Sequence, residues 1–122
     1  MRTITLAMAG VLSMPLFIGS CFERNQHQYP EKVVLPSEGG TVTVRGGTTL
    51  GLVDLYENGE WVGMKEVIGD TFYTYHDWLT VKTPMNAPEV IFSAKPLEEG
   101  RRRMTVISFI GYDELEIEVI QQ

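Results

Sequence analysis

The sequence predicts an all-β domain, a sandwich of two sheets built from seven to eight mostly antiparallel strands and preceded by a leader and a short tether. Three observations carry this. From Lys32 onward the chain falls into short runs rich in β-branched residues, separated by Gly, Pro, Asn and Asp, the punctuation of short strands. In Glu114–Gln121, Leu115, Ile117 and Val119 alternate with Glu114, Glu116 and Glu118, so one face is buried and the other solvated. No segment of about ten residues beyond the leader keeps apolar spacing at three, four and seven, so no long helix is expected.

The first element, residues 1–20, reads as an export signal. Arg2 is followed by an uncharged apolar run from Thr3 through Ser20, closing on Ile18-Gly19-Ser20-Cys21. A positive start, an apolar middle and small residues before a cut site are what the export peptidase requires. The last four residues resemble the lipobox of bacterial lipoproteins, in a variant with serine before the cysteine that is common in Bacteroidetes. The resemblance implies cleavage before Cys21 and a lipid on its sulfur. Two other readings compete. A membrane-spanning helix needs about 20 predominantly apolar residues, and this run is diluted by Thr5, Gly10, Ser13, Pro15 and Gly19 with no positive cluster behind it. An ordinary secretory signal leaves an incidental thiol. Acylation is favoured because Cys21 is the only cysteine and falls where the cut belongs; a lone thiol in an exported protein otherwise invites mispairing. The expected address is therefore a membrane, the outer membrane or cell surface, reached through the lipid.

Residues 21–31 form the second element. Phe22 through Glu31 are polar and aperiodic, and they read as a flexible tether with an end-to-end distance of roughly 17–20 Å. The sandwich spans 32–122. Its runs are Lys32–Leu35, Thr41–Arg45, Leu50–Tyr56, Trp61–Val67, Thr71–Tyr75, Trp78–Lys82, Glu89–Lys95, Met104–Ile110 and Glu114–Gln121. Asn58-Gly59 predicts a hairpin joining Leu50–Tyr56 to Trp61–Val67, since both residues tolerate positive φ.

Arg2 is the only charged residue of the leader, so ten basic and sixteen acidic residues become nine and sixteen, a formal charge of −7. That balance disfavours nucleic acid as a partner, and its scatter is a solubilising surface. The length beyond the leader suits one domain.

Several short motifs resemble the BACON domain, an immunoglobulin-like β-sandwich of exported Bacteroidetes proteins: Gly39-Gly40-Thr41-Val42-Thr43-Val44, Trp78-Leu79-Thr80-Val81, Arg102-Arg103-Met104-Thr105-Val106 and Glu118-Val119-Ile120-Gln121. The likeness spans roughly Val33 to Gln121. It implies an immunoglobulin-like topology, and it implies carbohydrate or mucin as ligand because that binding has been proposed for the family.

The residues themselves carry little catalytic chemistry. The histidines are His27 and His76, and the serines past the leader are Ser37, Ser93 and Ser108, none in a nucleophile-elbow context. No serine or cysteine nucleophile with a histidine base is expected. No metal-ligand spacing is present, and Glu98-Glu99 sits in a turn that cannot desolvate either carboxylate. No enzyme, cofactor or metal is predicted. Aromatic side chains suit the apolar faces of sugars, and Tyr and Trp add a polar handle. Trp61, Tyr73 and Tyr75 are therefore candidate ligand contacts, against packing across strands; Trp78 is expected in the core. Arg101 and Arg103 are candidates to grip sulfated or carboxylated glycan, against a solvated run that guards a sheet edge, with Arg102 holding the turn. Two functions remain open: carbohydrate binding at the envelope, and docking of an envelope protein with no glycan ligand.

Overall fold

The computed structural model describes residues 23–122; the leader expected at residues 1–20 and the lipid site expected at Cys21 lie outside the described residues. The strands are β1 (Lys32–Leu35), β2 (Gly40–Arg45), β3 (Asp54–Glu57), β4 (Glu60–Val62), β5 (Met64–Ile68), β6 (Thr71–His76), β7 (Leu79–Pro84), β8 (Glu89–Ala94), β9 (Arg102–Ile110) and β10 (Asp113–Gln121). One sheet runs β1-β10-β9-β3-β4 and the other β2-β8-β7-β6-β5. Every pairing is antiparallel except β1 with β10. The described residues form no helix. The fold is the predicted immunoglobulin-like β-sandwich.

The core lies between the sheets because alternation gives each strand one apolar side. The first sheet contributes Val33, Leu35, Leu55, Met104, Val106, Leu115, Ile117 and Val119, and the second Val42, Val44, Leu79, Val81, Val90 and Phe92. Trp78, in the turn before β7, joins them as expected.

The ten strands exceed the seven to eight expected, and the run Trp61–Val67 shows one reason. The Asn58-Gly59 hairpin forms as predicted, both residues having positive φ, with Leu55 opposite Val62 and Tyr56 opposite Trp61. At Gly63 the chain then leaves that sheet, and Met64–Ile68 pairs with β6 in the other. Gly63 has φ +98°, and a Cβ there would stand 2.9 Å from the Tyr75 carbonyl oxygen. Only glycine combines that dihedral with that approach, so the expected single strand becomes β4 and β5.

The tether is the larger correction. From Glu23 to Glu31 the chain folds onto the sandwich. Tyr29 is fully buried, and its hydroxyl donates to the Thr48 carbonyl at 2.6 Å. Its ring lies where a Cβ on Gly46 would come within 2.3 Å. The Gly47 and Glu118 N–H groups donate to the carbonyls of His27 and Glu31, and the His27 ring bridges Thr48 and Asp113. One buried aromatic, with the hydrogen bonds around it, outweighs a polar local composition.

Candidate functional site

The β3–β4 hairpin positions one candidate at the surface. Leu55 and Val62 turn inward, so their neighbours Tyr56 and Trp61 share the outer face of the first sheet. Trp61 is 63% exposed. Tyr56 stands opposite Thr105 of β9, and Arg103 lies two positions from Thr105 on the same face. At the hairpin's turn Glu57 and Asn58 join Arg101, Arg102 and Arg103 around an open depression of about 420 Å³. Trp61, Arg101 and Arg103 thus belong to one corner of one sheet. The Lys65 ammonium sits 5.6 Å from the Trp61 ring centroid and pairs with Asp54, which steadies the indole by a cation–π contact.

The three arginines differ in role. Arg102 is half-buried and held on two sides: its Nε donates to Gln121 Oε1 at 2.8 Å, its Nη2 to the carbonyls of Lys95 and Pro96, and its guanidinium lies over Trp78. It holds the turn, as expected. Arg103 is exposed and pairs with Glu118 at 3.1 Å. Arg101 is exposed and takes part in none of the ion pairs among the described residues. On its β3 side β9 is paired over Thr105–Ile107, and Arg102 and Arg103 lie past that pairing, joined to β10 alone.

Tyr73 and Tyr75 are elsewhere. Thr74 is buried, so the two tyrosines share the outer face of the second sheet, as their alternation predicted. Tyr73 lies between Glu66 and Lys82 and Tyr75 between Met64 and Thr80, and the Lys82 ammonium sits 5.7 Å from the Tyr73 ring. Both are half-buried. Trp61, Tyr73 and Tyr75 therefore form no common platform, because the sheet switch at Gly63 puts Trp61 on one sheet and its sequence neighbours on the other.

Sequence reasoning missed Tyr56, Glu57 and Asn58 as site residues, although the Asn-Gly turn already pairs Tyr56 with Trp61. It also missed that Glu31, Glu114, Glu116 and Glu118 line a second depression, of about 460 Å³, with Asn25 and Gln26; the alternation of glutamates along β10 was its signal. Among the described residues no cluster of three or more His, Cys, Asp or Glu is placed to hold a metal ion, and no helix is long and apolar enough to cross a membrane.

No protein-family model matches the sequence, and no curated protein matches it. An NMR structure of a protein from Bacteroides thetaiotaomicron is similar in fold, with a TM-score of 0.52 over 83% of this chain and 84% of its own, at 15% identity. At that identity the likeness is one of architecture alone.

Proposed function

We propose that this chain is a non-enzymatic lipoprotein, exported and held at the outer membrane or cell surface through a lipid on Cys21, whose BACON-like sandwich binds carbohydrate at the corner formed by Trp61, Tyr56 and the Arg101–Arg103 segment. The observation that carries the ligand class is the exposure of Trp61 at 63% on the hairpin whose turn residues, Glu57 and Asn58, line an open, polar-lined depression. An indole left in water offers a flat apolar face, and Asn58, Arg101 and Arg103 supply hydrogen-bond donors in the depression at that hairpin's turn. Two acyl chains suffice for stable anchoring. Glu23 accepts a hydrogen bond from Glu31 N–H at 2.9 Å, and two extended residues span only about 7 Å. The lipid therefore keeps the domain close against the bilayer, without the expected tether.

One feature favours a second reading, docking of an envelope protein. β5 is a sheet edge on which Met64, Val67 and Ile68 are all exposed, and an edge strand can accept an added strand.

The test is a polysaccharide binding screen with titration calorimetry as readout, run in parallel on the Trp61→Phe variant. Binding that is lost or strongly weakened in the variant supports the carbohydrate reading; absence of binding to every polymer transfers the case to protein docking. For the anchor, Cys21→Ala releases the protein from membrane fractions, and unchanged retention refutes lipidation there.

A further inference from the structure

Resting on the carbohydrate reading, we infer that the ligand class at this corner is an acidic glycan, a chain whose sugar rings carry sulfate or carboxylate groups. The depression is lined by three guanidiniums and one carboxylate, that of Glu57, on a protein whose formal charge beyond the leader is −7. The Glu57 carboxylate is turned toward His76, at 3.7 Å. Arg102 is held by carbonyl and amide oxygens, with no carboxylate to offset its charge. Arg101 likewise has no carboxylate partner among the described residues. Arg101, and the exposed Arg103 whose partner is the carboxylate of Glu118, are the two that can turn to a ligand: a guanidinium takes a sulfate or carboxylate in a two-pronged hydrogen-bonded pair.

The neighbouring indole selects what carries the anion. Trp61 and Tyr56 extend the site along the outer face by an apolar, flat surface, which a sugar ring covers and a free inorganic anion does not. The cationic patch is confined to this one segment. A nucleic acid gains affinity by neutralising a row of phosphates, and the acidic remainder of the surface opposes it. A sugar presenting one or two anionic groups needs no such row.

The experiment is titration calorimetry on the full-length protein in a polyoxyethylene alkyl ether detergent, which has no sugar headgroup. The probes are heparin, polygalacturonate, neutral dextran, neutral laminarin and duplex DNA. Heparin or polygalacturonate is expected to bind at least tenfold tighter than either neutral polymer, with affinity falling as salt rises. The double substitution Arg101→Ala/Arg103→Ala is expected to reduce that affinity at least tenfold with an unchanged thermal midpoint, and Trp61→Ala to reduce it as well. Neutral polymers binding as tightly as acidic ones, through Trp61, would leave the carbohydrate reading standing and overturn the acidic class. No binding of any polysaccharide overturns both. DNA binding as tightly as heparin, or an arginine double variant that binds normally, also overturns the acidic class.

Discussion

The guanidinium of Arg102 lies over the indole of Trp78, 4.8 Å from the ring centroid, while its Nε donates to Gln121. The side-chain amide of Gln121 in turn donates to the carbonyls of Pro36 and Lys95. Trp78, Arg102 and Gln121 are scattered along the chain, yet they meet here and close one end of the sandwich around the Lys95-Pro96 segment. Gly39 joins them, since a Cβ there would stand 2.7 Å from the Ala94 carbonyl oxygen. The motifs that carry the family resemblance thus converge on a packing device. Among the described residues the buried Trp78 indole N–H has no hydrogen-bond partner, so the ring serves through its face.

Arg102→Ala should therefore destabilise the domain by about 2–3 kcal/mol, because it leaves Gln121 and two carbonyls short of a charged donor. Arg102→Lys should recover less than half of that, since an ammonium cannot reproduce the planar fork or its stacking. Urea denaturation checks both. A loss below about 0.5 kcal/mol for the alanine variant would place this contact among ordinary surface pairs.

Tyr29→Ala should cost about 3–5 kcal/mol, as for other buried aromatics cut to alanine. Deleting residues 22–31 should destabilise at least as much. A deletion with an unchanged denaturation midpoint would show that this segment is a tether after all.

Burial, with a smaller contribution from the Glu89 charge, pushes the Tyr29 phenol from its ordinary 10.0 up to about 12. Below about pH 10 folded and unfolded chains both keep the proton. Between there and about pH 12 the unfolded chain gives it up first, so stability is lost as pH rises through that window. Tyr29→Phe should flatten this decline. Denaturation midpoints at pH 9 and pH 11 measure it, and equal slopes for the two proteins would contradict the assignment.

Gly63→Ala should destabilise by roughly 1–3 kcal/mol, since it combines a positive φ with a close approach to the Tyr75 carbonyl. Gly59→Ala, also at positive φ but with open space where the new methyl group would stand, should cost about 1 kcal/mol, the conformational term alone. Paired denaturation curves separate the two; equal losses would mean that the sheet switch tolerates a side chain.

The two tryptophans should report separately. Trp78 is buried and Trp61 exposed, so the Trp61→Phe variant should emit at shorter wavelength and resist acrylamide quenching several-fold better than the Trp78→Phe variant. Similar quenching would refute the outward placement of Trp61.

Alternation along β10, the Asn58-Gly59 turn and the β-branched runs settled the all-β class and most strand positions from the sequence alone, because side-chain period and turn dihedrals are local properties. Tyr73 and Tyr75 sharing a face followed from the same local rules, and Trp78 lying inside followed from the fold class. The folding of Glu23–Glu31 did not, since it depends on Tyr29 finding a space beside Gly46, a contact between segments distant in sequence. Nor did the separation of Trp61 from the tyrosines or its place on the same sheet as the arginines. Those depend on which sheet each strand joins, and long-range pairing is decided by how the two apolar faces close on one another, which no local pattern encodes.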